Sequence, residues 1–472
     1  MQRFLFLVAL SLCYFASLKT QTTKTEIAAE LQKVISAIEI YHPDAYHYAD
    51  STKIAALREE LVSELPEEPT KMQAYRAANR LVCAFGDGHT RLWDTENSSL
   101  YRENGGTYLP LGVNVRNERL FVSADHRHQP NDLTGTEITS INGIPAKELV
   151  QKLVTHASRE TYDLDQVLLS SNFPRYLWLA YGEDFNQQFS LELTSNSQQT
   201  SQTISGLTYD QIATNQPAYS EPATFTTEMM DGNTAYLKIT HFEARPKDFA
   251  RQFKSIFRDF KAAGAHDLIL DLRGHGGGDS RIGEELARYF ADAPFRSFAY
   301  QEWKATPQFK QAFKNAYLPG AFHWAVPLLK GINPHLKAIY STADHGIARV
   351  IMPETKPYGN NRQLTGRVIL LMDENTFSAG TCFAAMFKDY GMGTIVGRQS
   401  GNLANFHADG LLRMSLPLAG AQLQISNSYL VRPSGDETAK PVQPDVFVDV
   451  KEDALKVALE LLANDRVLGN LK

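Results

Sequence analysis

Cysteine is scarce in this chain, with three among 472 residues. Cys13 lies in an apolar N-terminal run, so the body of the sequence retains only Cys83 and Cys382. Two cysteines cannot form the disulfide framework on which small secreted domains depend. The fold therefore needs a hydrophobic core for its stability, and both cysteines are expected to be small buried residues of that core.

An excess of positive charge is also missing. The chain has 47 lysines and arginines against 53 aspartates and glutamates, a net charge of −6. This balance gives no electrostatic signature of nucleic-acid binding. Beyond the N-terminus, no apolar run reaches the roughly 18 residues of a membrane-spanning helix, and no histidine–carboxylate cluster has metal-ligand spacing. We therefore expect no cofactor, no metal, no nucleic-acid partner and no integral membrane span in the body of the chain.

The N-terminus differs from the rest. Arg3 precedes an apolar run that extends to about Leu18 and ends at the polar residues 19–21. One positive charge, a short apolar region and an abrupt polar end predict a secretory signal peptide at residues 1–20. A first core helix is the alternative, but the run lacks the polar alternation of such a helix. We expect an exported protein, periplasmic or extracellular. Because the large Leu12 precedes Cys13, lipoprotein anchoring is not expected.

The first half of the mature chain has two patterns. In residues 21–100, apolar residues recur at helical spacing and predict an N-terminal helical domain that carries a glycine-containing turn at 85–90. Residues 101–227 show short β-strand patterns, among them 135–143, which ends in the tight-turn signal Asn142-Gly143. A Ser/Gln/Thr-rich stretch to about Thr203 predicts a surface hairpin or linker.

From residue 228 to 472, buried apolar strands such as 267–272 and 366–372 alternate with helices. This alternation predicts an α/β domain with a mostly parallel sheet covered on both faces. Residues 300–360 are aromatic-rich and lack a strand pattern. They predict a helical insertion long enough to cover a cleft.

Two turns at strand ends could carry chemistry, since ligand sites of α/β sheets gather there. The segment DLRGHGGG (271–278) has four glycines in five positions, so its backbone N–H groups can point into a cavity and bind an oxyanion. A structural turn or a phosphate loop is the alternative, but the Lys-Ser/Thr ending of a P-loop is missing. The segment NTFSAG (375–380) places Ser378 at the start of a helix. There the serine is either an N-cap or a hydroxyl exposed beside free N–H groups.

A histidine is the natural proton acceptor for such a serine near neutral pH. The chain has 13 histidines, and His89 occupies the turn GDGHT (86–90). Spacing alone does not distinguish His89 from His241, His275 or His407.

Six segments together resemble peptidase family S41, which includes the tail-specific carboxy-terminal processing proteases and the tricorn core. The turn 85–90 resembles the family's D-x-H-T, 135–143 a PDZ-domain core, and 271–278 its glycine loop. Residues 377–380 resemble the nucleophile turn, and 396–401 and 441–446 the two segments that follow it. The order of the six segments along the chain matches the family.

The resemblance implies a ClpP/crotonase-like catalytic domain with an N-terminal helical segment and a PDZ-like β-rich domain. It also implies that Ser378 is the nucleophile, with an oxyanion hole from the N–H groups of Ala379 and of Gly276 or Gly277. Tail-specific members use a lysine about 25 residues after the serine, but residues 401–406 contain none. Tricorn-like members use the histidine of the N-terminal turn and a carboxylate before the last segment. His89 and Glu437 occupy those positions, with Asp436 as the reserve.

The sequence departs from the family pattern at two positions near the implied site. Thr381 stands where an acidic residue is common, and His275 where the glycine loop usually has asparagine. The PDZ-like segment also lacks a clear G-L-G carboxylate-binding loop, so that module is expected to shape the cleft rather than to select substrate C-termini.

The function implied by the resemblance is an exported serine endopeptidase, or a C-terminal processing-type protease, that cleaves a polypeptide substrate. Two alternatives remain open at this point. One is a non-catalytic binder that holds an apolar ligand on the same fold, and the other is a crotonase-like thioester enzyme. The joint presence of Ser378, His89, a carboxylate and the glycine loop favours the peptidase.

Overall fold

The computed structural model describes residues 22–94, 106–158, 160–182, 184–215, 222–231, 233–408 and 412–469. The predicted signal peptide at 1–20 lies outside the described residues. In chain order the helices are α1 (Lys24–Tyr41), α2 (Ser51–Glu64), α3 (Lys71–Cys83), α4 (Ala146–Leu153), α5 (Tyr162–Ser171), α6 (Phe173–Tyr181), α7 (Tyr209–Thr214), α8 (Pro246–Ala262), α9 (Ser280–Ala287), α10 (Pro307–Tyr317), α11 (Val326–Leu329), α12 (Pro334–Ser341), α13 (Ala379–Asp389) and α14 (Ala454–Gly469).

Twenty-one short strands accompany these helices in the described part of the chain. They are β1 (Arg91–Asp94), β2 (Thr107–Tyr108), β3 (Leu111–Arg116), β4 (Arg119–Asp125), β5 (Glu137–Ile141), β6 (Ile144–Pro145), β7 (Gln188–Ser195), β8 (Gln198–Ser205), β9 (Leu207–Thr208), β10 (Phe225–Met230), β11 (Thr234–Ile239), β12 (Asp267–Asp271), β13 (Tyr300–Lys304), β14 (Ile347–Ile351), β15 (Val368–Met372), β16 (Thr394–Gly397), β17 (Phe406–Ala408), β18 (Leu412–Leu416), β19 (Ala421–Ile425), β20 (Ser428–Val431) and β21 (Val446–Phe447).

The N-terminal helices are joined to the C-terminal region. Thr23 and Thr70 form capping boxes that begin α1 and α3, satisfying N–H groups that a helix start leaves unpaired. The apolar faces of α1 to α3 share one core with Leu423 and Ile425 of β19. β1 pairs antiparallel with β19. The turn that carries His89, between α3 and β1, is therefore attached to the C-terminal part of the chain.

A separate antiparallel sheet, in the order β3-β4-β5-β7-β8, has its own apolar core with α4 and α6. The predicted tight turn between β5 and β6 is confirmed, because Asn142 and Gly143 both have positive φ, at 51° and 77°. Glycine adopts such angles without strain and asparagine tolerates them. Identification of this sheet with a PDZ-like domain stays a prediction.

The central sheet has the order β10-β11-β12-β15-β16-β21. Within this sheet β11, β12, β15, β16 and β21 are parallel to one another. β10 is an edge strand and pairs antiparallel with β11. Alternate residues of each strand face opposite sides. Leu268 and Leu270 pack with α8, α9 and α13, whereas Ile269 packs with α14 on the other face. The predicted α/β class, with a mostly parallel sheet covered on both faces, is confirmed.

The segment 300–360 differs from the predicted helical insertion at both ends. Helices α10 to α12 occupy its middle, but β13 precedes them and β14 follows. These strands belong to a sheet of order β14-β13-β20-β17. Alternate residues of β14 are exposed, so this strand, unlike those of the central sheet, is buried on one face only. None of the helices in the described ranges combines the length and apolar character needed to span a bilayer.

Candidate active site

Ser378 lies in the turn between β15 and α13, immediately before the helix. Its φ of 54° is positive, which costs roughly 1–3 kcal/mol in a non-glycine residue and is typical of functional sites. The Ser378 side chain forms no capping hydrogen bond, so the N-cap interpretation of this serine does not hold. The backbone N–H of Ser378 donates instead to Oδ1 of Asn402 at 2.8 Å. The turn therefore leaves the Ser378 hydroxyl available for chemistry.

Asn402 was not identified from the sequence. Its Oδ1 also accepts a hydrogen bond from Thr381 Oγ1 at 2.6 Å, so one amide oxygen holds the serine turn at two points. This contact gives Thr381 a structural role at the position where an acidic residue was expected. Asn402 lies in the segment 401–406, where tail-specific members of the resembled family have their lysine. Its place in that segment could have marked it as a site residue, although it is an asparagine and not a lysine.

The glycine loop approaches the serine closely. A Cβ atom on Gly277 would lie 2.7 Å from Cβ and 3.2 Å from Oγ of Ser378. Gly277 also has a φ of 113°, so only glycine fits there without strain. Its carbonyl accepts from the Phe242 N–H at 2.7 Å, which ties the loop to the segment after β11. The backbone of the loop is consequently fixed against the serine side chain.

Two of the three predicted oxyanion-hole donors have no partner among the described residues. The Ala379 N–H is at the first position of α13, where a helix supplies no acceptor. The Gly276 N–H likewise forms no hydrogen bond in the described part of the chain. The Gly277 N–H, by contrast, donates to Nδ1 of His275 at 3.2 Å. Ala379 and Gly276 thus carry the free donors.

His275 is a loop-supporting residue. It is fully buried, and burial lowers the pKa of its imidazole to about 4, so the ring is neutral near pH 7. Its ring contacts Phe242 edge-on, with centroids 4.2 Å apart. Its carbonyl accepts from the Phe377 N–H at 2.9 Å. Through these contacts His275 joins the glycine loop to the serine turn.

His89 is stacked between two aromatic rings. Its ring centroid is 4.8 Å from that of Phe377 and 5.2 Å from that of Phe406, with interplanar angles of 18° and 13°. Phe377 directly precedes Ser378, so the stacking brings the imidazole to the serine turn. Neither ring nitrogen has a hydrogen-bond partner among the described residues. Nδ1 lies 3.7 Å from Oε1 of Glu160, within ion-pair range.

Glu160 has a fully buried side chain. Its carboxylate accepts from the N–H of Gly88 at 3.2 Å and of Leu403 at 3.3 Å. Burial raises its pKa above the ordinary value, while the adjacent His89 acts in the opposite direction. The sequence offered no signal for this residue, because Glu160 lies in a stretch without a legible pattern.

The two carboxylates named from the family order lie elsewhere. Glu437 is exposed, and its carboxylate accepts a hydrogen bond from the Tyr300 hydroxyl on β13. Asp436 is also exposed and accepts from the N–H of Thr438 at 3.0 Å. Among the described residues, the carboxylate within 4.0 Å of the His89 ring is that of Glu160. The structure does not bring Glu437 or Asp436 into an ion pair with His89.

Asp87 holds the histidine turn through hydrogen bonds of its buried carboxylate. Its Oδ1 accepts from the His89 N–H at 2.9 Å, and its Oδ2 contacts Nε2 of His42 at 3.2 Å and accepts from the Thr90 hydroxyl. Burial alone would raise the pKa of Asp87, but the hydrogen bond and charge of His42 hold that pKa below its usual range. Atoms of Asp87, His89 and Glu160 lie within 4.8 Å of one another, a separation compatible with a metal ion. Both oxygens of Asp87 already have partners, so this set fits hydrogen-bonded support better than metal ligation.

A cavity of about 490 Å³ opens beside the serine turn and is lined by Gly276 and Phe377. Gly88 and β1 form a second wall. The remaining wall comes from α3, α5 and α6. All three predicted regions of the chain therefore contribute to the cavity beside the serine turn.

Residues 233–448 match the model of peptidase family S41. Ser378, Ala379 and both loop glycines fall inside this match, whereas His89 and Glu160 lie before it. No curated protein sequence matches the chain significantly.

Solved structures with a similar fold include mature CPAF, at 13% identity and a TM-score of 0.59 over 90% of this chain and 92% of the other. Mature CPAF complexed with lactacystin gives 14% identity and a TM-score of 0.60 over 90% and 94%. At this level of identity the likeness concerns the fold alone.

Proposed function

Because the chain belongs to peptidase family S41 and is a serine-type peptidase, we propose that it cleaves polypeptides through an acyl-enzyme on Ser378. His89 is the general base, and Glu160 is the carboxylate that orients it. The main support is the environment of His89. Its Nδ1 faces a buried carboxylate, its ring stacks on the residue before Ser378, and Nε2 has no partner within the described residues.

The chemistry follows from these positions. Ser378 Oγ attacks the substrate carbonyl carbon while Nε2 of His89 takes the hydroxyl proton. The imidazolium then forms beside the buried Glu160, whose negative charge stabilises it and fixes the tautomer with the proton on Nδ1. As the tetrahedral intermediate collapses, His89 returns the proton to the leaving amine. Water repeats the sequence on the acyl-enzyme and releases the acid product.

The negative oxygen of the intermediate needs donors that are in place beforehand. The N–H groups of Ala379 and Gly276 are unoccupied, so we assign the oxyanion hole to this pair. Gly277, the third predicted donor, has its N–H bonded to the His275 ring, so its role is to let the loop approach Ser378.

Export is part of the same proposal. The apolar run before residue 20 supports a leader that directs the chain to the periplasm or the extracellular space. Sequencing the N-terminus of protein recovered from culture fractions tests this directly. A new N-terminus near residue 20 in the exported fraction is expected, and an intact Met1 in the cytosol would contradict export.

Fluorophosphonate labelling tests the mechanism, because the probe reacts with an activated serine. We expect labelling of the wild type and its loss in Ser378→Ala and His89→Ala. The exposed His128, which lies in the antiparallel sheet region, provides the control His128→Ala. Labelling that survives His89→Ala would exclude His89 as the base. Absence of labelling in folded wild type would favour the alternative of an apolar-ligand binder.

A further inference from the structure

Arg91 projects into the cavity beside Ser378 without an ionic partner. It follows His89 by two residues at the start of β1 and lines the same cavity as Gly276 and Phe377. Its Nε is buried and has no hydrogen-bond partner in the described part of the chain. Among the described residues, no carboxylate lies within ion-pair distance of its guanidinium. A guanidinium keeps its charge under all physiological conditions, so this charge lacks a partner in the free protein.

The charged side chains that line the cavity are all positive among the described residues. The described residues that line it include Arg91 and Arg175 but no aspartate or glutamate. Arg175 donates to the Tyr75 hydroxyl at 3.0 Å, so part of its hydrogen-bonding capacity is used. Asp87 attracts Arg91 through space, but its oxygens are committed to His42, His89 and Thr90. The charge of Arg91 in a low-dielectric wall attracts an anion.

Arg91 is also held in position. Its guanidinium stacks on Trp93, 4.4 Å from the ring centroid. The Trp93 Nε1–H donates to Oε1 of Gln424 at 3.0 Å, and Nε2 of Gln424 donates to the carbonyl of His89 at 3.1 Å. The guanidinium is thus linked through two hydrogen bonds to the residue that activates the serine. A pre-organised cation loses little freedom when it binds an anion.

We propose that Arg91 binds a carboxylate of the polypeptide substrate in the cavity beside Ser378, so that the enzyme prefers substrates with a negative charge close to the scissile bond. This inference rests on the proposed peptidase function and specifies its substrate class. A guanidinium pairs with a carboxylate through two parallel hydrogen bonds. The carboxylate belongs either to an aspartate or glutamate side chain or to a free C-terminus.

A peptide library distinguishes the two sources. Each fluorogenic peptide carries glutamate at one position near the scissile bond and is matched with its glutamine isostere, and each pair is made with a free and with an amidated C-terminus. We expect the carboxylate member to have a kcat/KM about 10- to 100-fold higher than its neutral partner, the range of a charge-assisted hydrogen bond. A preference within Glu/Gln pairs identifies a side chain, and a preference within free/amidated pairs identifies the C-terminus.

Variants assign the preference to Arg91. Arg91→Gln removes the charge and is expected to abolish the preference, mainly through KM, while fluorophosphonate labelling continues. Arg91→Lys keeps the charge without the paired geometry and should retain part of the preference. Arg413 supplies a matched control, because its guanidinium lies over the same Trp93 ring at 5.8 Å but does not line the cavity. Arg413→Gln should preserve the full preference.

Binding to Ser378→Ala, measured by calorimetry with the same peptides, separates this inference from the proposed function. If fluorophosphonate labelling fails but binding still selects carboxylates, the peptidase mechanism is contradicted and the Arg91 site is supported. Turnover without any charge preference would overturn the Arg91 site alone. An equal loss for charged and neutral peptides in Arg91→Gln would also overturn it, since that pattern indicates packing on Trp93 rather than recognition.

Discussion

Oε1 of Glu160 lies 3.7 Å from Nδ1 of His89, and both side chains are shielded from solvent. The carboxylate is fixed by two backbone N–H groups, and the imidazole by two aromatic rings. A carboxylate in this position determines which ring nitrogen carries the proton. We therefore propose Glu160, in place of Glu437, as the carboxylate of the serine-histidine-carboxylate arrangement.

The assignment of Glu160 predicts unequal effects of two isosteric substitutions. Glu160→Gln keeps the shape but removes the charge beside His89, so kcat should fall by roughly 10³- to 10⁴-fold, the range known for such carboxylates. Glu437→Gln alters an exposed residue that contacts Tyr300 and should change kcat less than about threefold. Steady-state kinetics on one fluorogenic peptide measures both. The reverse ranking would restore Glu437 as the third catalytic residue.

Replacement of Gly277 tests the close approach of the glycine loop. In Gly277→Ala the new methyl group would collide with Ser378, so labelling should be lost and stability should fall by about 1–3 kcal/mol. Gly264 is the control, since it also has positive φ, at 79°, but has open space around its Cβ position. Gly264→Ala should cost stability only, with full labelling. Normal labelling of Gly277→Ala would show that the loop does not contact the nucleophile.

Asn402 is predicted to hold the strained serine turn. Asn402→Ala removes the acceptor for the Ser378 N–H and one of the two acceptors for the Thr381 hydroxyl, the other being the Thr376 carbonyl. The labelling rate should therefore drop about 10- to 100-fold as the turn relaxes. Asn402→Asp retains an acceptor oxygen and should recover much of the rate. Thermal unfolding of both variants checks that the fold persists. Equal damage by the two substitutions would argue for packing rather than for this hydrogen bond.

The burial of His275 predicts that the free energy of unfolding falls in acid. Its pKa in the folded chain is lowered to about 4 by burial, so between pH 6.5 and 4 the unfolded chain binds a proton that the folded chain does not. The free energy of unfolding must then fall with decreasing pH, by up to about 1.4 kcal/mol per pH unit from this residue. Denaturant titrations of His275→Asn should show a shallower slope over this interval. The exposed His128→Asn serves as control, and an unchanged slope in His275→Asn would contradict the assignment.

Short-range features of the site could be predicted from the sequence. The glycine loop before Gly278, the serine turn and the histidine turn each depend on backbone conformations that a few adjacent residues dictate. Buried apolar strands alternating with helices likewise indicated a parallel sheet, because burial on both faces demands continuous apolar runs. The strands that flank residues 307–341 were not predicted, since polar residues interrupt both: Gln301 and Glu302 in β13, and Arg349 in β14.

The contacts of the site residues with distant segments could not be predicted from the sequence and are visible only in the tertiary structure. Glu160 comes from a stretch without periodicity, and nothing local marks a single carboxylate for burial beside His89. Nothing local distinguishes Arg91 from other strand arginines, but the packing of β1 against β19 places it at a cavity whose described lining residues include no carboxylate. The sequence by itself determined the local backbone geometry and the α/β class, because both depend on residues near one another in the chain. Pairing of charges and the shape of the cavity arose only from packing, which brings together residues whose identities carry no local signal.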